Sequence, residues 1–228
     1  NFSGTHWFAN STELYQILAR RLIDRRWFPS VNRPGFHVTR PDSHWFLEQF
    51  IPFDYANQSL VQCEDDTTTD QAKARFGDWR RAPRSWVPYH PSHDDYQMEG
   101  ACKRWIIRCL NIGTRHSILT QDDVDSAFEE ASSEQPTILS FCNHDFRPME
   151  EDIALVHSYL TKAQKKYVDV EFVYANAVDA IRLAMGVQPD PDFELSFEIL
   201  KHPTYTEIIV GTLGRSFGIQ PFLAVKKK

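Results

Sequence analysis

With 228 residues, 42% of them hydrophobic and 13% aromatic, the chain can bury a sizeable core as one large domain or as a domain with a small appendage. A formal charge of −6 argues against nucleic acid or an anionic membrane as the main partner. No run approaches the roughly 18 apolar residues of a transmembrane helix, so no membrane span is expected.

Asn1 stands where a Met would open a complete chain, and further residues upstream are expected. Asn10 with Glu13 three residues on has the pattern of a capping box, and Leu14, Ile17, Leu18 and Leu22 make the apolar stripe of a helix that stops before Pro29. Pro34-Gly35 marks a turn, a second helix is predicted over 42–49, and 51–55 reads as a short strand. From 58 to 100 regularity fails. Residues 63–70 are acidic and polar and read as a surface loop. In the stretch 76–96, Pro83, Pro88 and Pro91 forbid helix and central strand amid a density of Trp, Tyr, His, Arg and Asp. That composition suits either an irregular binding loop or a loop that plugs one end of the core with Trp79 and Trp86.

Residues 104–112 read as a strand, and Thr120 with Asp123 caps a helix whose stripe is Val124, Ala127, Phe128 and Ala131. The apolar run that starts at Pro136 ends abruptly in Asn143, His144, Asp145 and Arg147. It reads as a buried strand whose C-terminal end delivers polar groups into a site. A helix carrying Ile153, Val156, Leu160 and Ala163 follows, then a strand over 168–173 and a helix over 177–185 closed by Gly186. Helix, strand, helix, strand, helix from Thr120 onward is the signature of parallel βα units. Beyond Pro191, Phe193, Leu195, Phe197 and Ile199 alternate with polar residues as in a half-buried strand, and 205–210 and 216–225 supply two more. Residues 189–228 therefore read as a small antiparallel β appendage.

The four cysteines, Cys63, Cys102, Cys109 and Cys142, contain no Cys-x-x-Cys pair, which argues against a thiolate zinc knuckle. The last three sit in or beside apolar runs and read as buried free thiols of a reduced chain. His37, His44, His116, His157 and His202 read as surface or satisfied polar groups.

Four short segments follow one another along the chain: Phe2-Ser3-Gly4-Thr5-His6, Arg33-Pro34-Gly35-Phe36, Asp78-Trp79 and the strand end at His144. In that order they resemble the second to fifth motifs of the polysaccharide deacetylase (NodB-homology) family of carbohydrate esterases. His6 matches the second histidine of that family's His-[Ser/Thr]-x-x-His metal-binding pair, and Phe2 stands where the first should be. Arg33 to Phe36 echoes Arg-x-Pro-[Tyr/Phe] with its proline shifted by one. Asp78-Trp79 matches an Asp followed by Trp, and His144 matches the histidine at a strand end, without the usual Leu-x-His frame. The first motif, Thr-Phe-Asp-Asp, which supplies the catalytic base and the remaining metal ligand, is expected upstream of Asn1.

The resemblance covers residues 1–188 and implies a distorted (β/α)7-type barrel whose first strands lie upstream. It further implies a hydrolase that uses zinc or another divalent metal to remove acetyl groups from an N-acetylated sugar or polysaccharide. His6 is then a metal ligand, and Asp78 and His144 are catalytic, His144 as the acid whose imidazolium a carboxylate keeps charged. Arg33, Trp79, Asp145 and Arg147 bind the carbohydrate, Trp79 by offering a flat apolar face to a sugar ring. The alternative is a catalytically inactive relative that binds carbohydrate or assists polysaccharide assembly. Phe2 points that way, because a phenyl ring has no lone pair to donate to a metal.

Overall fold

A computed structural model describes residues 12–60, 77–113, 117–144, 146, 148–217 and 222–226. The chain order is α1 (Thr12–Arg25), β1 (Val31–Asn32), a single 3-10 turn (Gly35–His37), α2 (Pro41–Phe50), β2 (Phe53–Asn57), β3 (Trp105–Asn111), α3 (Gln121–Ser132), β4 (Ser140–Cys142), α4 (Met149–Lys166), α5 (Ala177–Met185), β5 (Glu194–Lys201) and β6 (Thr206–Leu213). Strands β1 to β4 lie side by side in chain order, every neighbouring pair parallel. This is the singly wound arrangement of a half-barrel. β5 and β6 form a separate two-stranded antiparallel sheet.

β3 is apolar almost throughout because both of its faces are covered. Leu110 and, just beyond the strand, Ile112 pack with Trp86, Val124 and Phe128 of α3, and Val156, Leu160 and Ala163 of α4. Ile107 and Cys109 turn to the opposite face, where Phe53, Tyr55 and Ile181 of α5 meet them. The prolines of the long connection 77–104 do not prevent it from being well packed. Trp79, Ala82, Tyr89 and Tyr96 close over Ile106 and Ala56, and Trp86 is completely buried. α1 lies on α2 through Leu18, Phe46 and Leu47, and the tail residue Phe222 returns to that cluster beside Phe28 and Phe50.

The local signals of α3 and α5 are realised closely. The Thr120 hydroxyl oxygen accepts from the Asp123 N–H while Asp123 Oδ2 accepts from the Thr120 N–H and hydroxyl, a reciprocal cap of about 1 kcal/mol. α5 ends at Gly186, whose φ of 62° is the left-handed conformation that glycine adopts without strain.

Three expectations are corrected. The strand expected over 168–173 does not form: 168–169 are a turn and 170–173 have no regular structure, with Val168 and Val173 exposed. The segment lies between α4, which packs on one face of the sheet, and α5, which packs on the other, and it makes no ladder pairing with β4. The barrel consequently does not close among the described residues. The alternation in β5 is real, but its apolar residues are not buried: Leu195, Phe197 and Ile199 are 55%, 72% and 54% exposed. Among the described residues, the two-stranded unit has no second layer on which to fold its apolar side chains. Residues 214–217 and 222–226 add no third strand. Asn10, Cys63 and the loop 63–70 lie outside the described residues. No described helix is long and apolar enough to cross a membrane.

Candidate functional site

Parallel strands put all of their C-terminal ends at one edge, and in this sheet that edge is polar. β1 runs out into Arg33, β2 ends at Asn57, β3 at Asn111, and β4 at Cys142 followed by Asn143 and His144. Asn57 is structural: its amide donates to the Pro83 carbonyl and its oxygen accepts the Ser59 N–H. Asn143 donates to Asp152 of α4 at 2.8 Å and accepts the backbone N–H of His144 at 2.7 Å, which fixes the turn that leaves β4.

The centre of this mouth is the Cys142 sulfur. Arg33 Nη2 donates to it at 3.1 Å, across 109 positions of sequence. His37 Nε2 lies 3.8 Å away and Asn111 Oδ1 3.1 Å away. The His37 ring is buried, and its Nδ1 is 3.2 Å from the Ala56 carbonyl. A carbonyl can only accept, so Nδ1 carries a proton and Nε2 is left to face the sulfur. Hydrogen bonding from Cys109, then from His37 and Arg33, holds the Cys142 thiol down at about 4, against the opposing effect of burial. Cys109 moves the other way: the same contact with Cys142, then burial, pushes its thiol up, so it stays protonated.

The loop that presents His37 is strained. Phe36 and His37 have φ of 53° and 50°, two consecutive non-glycine residues in the left-handed region. What holds them is the connection 77–104. The Gly77 N–H donates to the Phe36 carbonyl at 3.1 Å and the Trp79 indole N–H to the His37 carbonyl at 2.8 Å. A Cβ on Gly77 would sit 1.9 Å from the His37 carbonyl oxygen, so only glycine permits this approach.

The residues singled out from sequence are distributed as follows. Arg33 is at the mouth. His144 is there as well, exposed, its ring stacked on Phe146 at 5.0 Å. Trp79 is buried, only 2% exposed, and packs edge-on against Tyr96, so its ring supports the His37 loop and presents no open face. The Asp78 carboxylate is engaged by Arg80 at 2.8 and 2.9 Å, and that hydrogen bonding leads the lowering of its pKa. His6, Asp145 and Arg147 lie outside the described residues, as do Phe2 and His116. Among the described residues, no group of three or more His, Cys, Asp or Glu side chains is placed to hold a metal ion. His37, Cys142 and Asn111 were not singled out from sequence. The usable signals were faint: a histidine two residues after Pro34-Gly35, and a cysteine at the last position of a strand that ends in polar groups.

No protein-family model, no curated protein and no solved structure matches the chain.

Proposed function

We propose that the chain is a carbohydrate-active hydrolase resembling the polysaccharide deacetylases, working at the strand-end mouth and removing acetyl groups from an N-acetylated sugar or polysaccharide. The observation that carries this reading is the Arg33–Cys142 contact of 3.1 Å, which sets the Arg33 turn beside the strand end that bears His144. The Trp79–His37 hydrogen bond ties the Asp78-Trp79 turn to the same loop. Three of the four segments that resemble the family are thereby linked, although they are scattered along the chain.

In this reading His144 gives its proton to the amine that leaves when the amide bond breaks, a role open to an exposed imidazole at the rim. Arg33, with Asp145 and Arg147 beyond β4, binds the polar groups of the sugar. Phe146, exposed and parallel to the His144 ring, offers the apolar face against which a sugar ring can rest. The described side chains do not by themselves supply the three protein ligands of an open zinc site. A divalent metal would therefore need donors from beyond them, His6 among these, and no step is routed through it here.

The test is acetate release from N-acetylated oligosaccharides by the chain, alone and with zinc or manganese added, for wild type and His144→Asn. Release that falls about 100-fold or more in the variant, with the fold kept, is expected of a lost general acid. No release with either metal, by this chain or by a form extended upstream of Asn1, excludes the hydrolase. Saturable sugar binding without release assigns the alternative, a carbohydrate-binding relative.

A further inference from the structure

We propose that Cys142 is a nucleophilic thiolate and a modification site for small soft oxidants of the peroxide class, a chemistry separate from acetyl removal. The argument begins with what surrounds the sulfur. Arg33 brings a permanent cation within 3.1 Å, and an N–H donated to sulfur at that distance favours the anion. His37, whose Nδ1 proton is committed to the Ala56 carbonyl, has Nε2 at 3.8 Å to take the thiol proton and hold it as an N–H facing the sulfur. Cys109 of the neighbouring strand packs in the same cluster as Cys142. As a thiol, Cys142 donates its S–H to Asn111 Oδ1 at 3.1 Å, and ionisation gives up that one bond while the Arg33 contact is strengthened.

The strain points the same way. Two consecutive left-handed residues, a glycine that no other residue can replace, and a buried indole donor all serve to hold one imidazole beside one sulfur. A thiol that merely filled space would need none of them. Cys142 is partly accessible, so a small reagent can reach it, whereas Cys109 is buried. In the reaction, the Cys142 sulfur attacks one peroxide oxygen, an S–O bond forms and the O–O bond breaks. Hydroxide leaves and takes a proton to become water, so that sulfur is oxidised to sulfenic acid and the peroxide is reduced.

The chain carries its own control. Cys102 is also partly accessible, but burial, and then the Glu48 carboxylate beside it, push its thiol up to about 11. A strongly acidic thiol is a weaker intrinsic nucleophile than a basic one, yet at pH 6 the difference in ionised fraction outweighs this. The experiment is iodoacetamide labelling of the intact chain from pH 5 to 9, resolved by cysteine with peptide mass spectrometry. Cys142 is expected to label about tenfold or more faster than Cys102 at pH 6, with a rate that levels off below pH 7. Arg33→Gln should slow Cys142 at pH 6 and Arg33→Lys should restore most of the rate, circular dichroism confirming the fold. Hydrogen peroxide followed by a dimedone-type probe should tag Cys142. A Cys142 rate at pH 6 no higher than that of Cys102, or one still climbing at pH 9, overturns the thiolate, and the wild-type profile decides this even where a variant fails to fold. A plateau without a peroxide-dependent adduct overturns the assignment to peroxide.

Discussion

The indole nitrogen of Trp79 donates to the carbonyl oxygen of His37 at 2.8 Å, across 42 positions of sequence. This bond joins the proline-rich connection to the turn that aims His37 at Cys142. Trp79→Phe keeps an aromatic ring but removes the donor and the rest of the indole, leaving a buried carbonyl without its partner and a small void at a buried site. A loss of about 1–3 kcal/mol is expected in urea unfolding. Gly77→Ala should cost at least as much, because its Cβ collides with the His37 backbone. Unchanged stability in both variants would show that the turn holds itself.

His44 predicts acid lability. Its Nε2 faces the Ser92 and His93 carbonyls and its Nδ1 accepts from Arg104 at 2.6 Å, the pattern of a neutral ring. Burial, then the Arg104 charge, lower its pKa from 6.5 to about 4. The unfolded chain therefore takes up a proton that the fold does not. Stability from this group is full above about pH 6.5 and is lost as pH falls toward 4, by on the order of 1–3 kcal/mol. Asp54, buried against Arg104 at 3.7 Å and raised in pKa by that burial, acts in the opposite sense. The comparison is therefore with His44→Gln, in which Asp54 is unchanged: the stability difference between the two proteins should shift in favour of the variant on going from pH 7 to 4.5.

Asp123 holds two structures at once. One oxygen accepts from Arg108 at 2.7 Å and the other closes the cap with Thr120. Arg108 is buried and lies 4.2 Å over the Trp86 ring. Asp123→Ala strands that cation and uncaps α3, with an expected loss of about 3–5 kcal/mol by urea unfolding. A loss under about 1 kcal/mol would show that water replaces the carboxylate.

The exposure of the β5–β6 unit separates two substitutions that look alike in sequence. Phe197→Ser, at a site 72% exposed, is expected to change stability by less than about 0.5 kcal/mol. Leu110→Ala, at a fully buried site in β3, is expected to cost about 2–5 kcal/mol. Comparable losses would mean that the apolar face of β5 is covered in solution.

What could be read from sequence was whatever a single element carries within itself. Thr120 and Asp123 announce the start of α3, Gly186 the end of α5, and the apolar run through Ile106 and Leu110 a strand. Their alternation was enough to expect parallel βα units, because a short crossover helix leaves few other arrangements. In α4 the apolar period placed Val156, Leu160 and Ala163 inward as expected, yet Ile153 is exposed and Asp152 takes the inward position. The segment 168–173 has the composition of a strand, yet it joins no ladder, because strand formation needs a pairing partner that its own sequence does not supply.

The mouth shows the same division more sharply. That β4 ends in polar groups at Asn143 and His144 was visible, since an apolar run that stops in polar residues is a one-dimensional signal. That Cys142, Arg33 and His37 would meet was not. Their contacts span 109 and 105 positions and depend on the register of four parallel strands and on two left-handed residues. The left-handed turn stands only because Gly77 and Trp79 arrive from a distant connection to hold it. A sequence period reaches two residues along a strand or four along a helix, whereas the charge on a sulfur is set by whichever groups the packed sheet finally brings within about 4 Å of it.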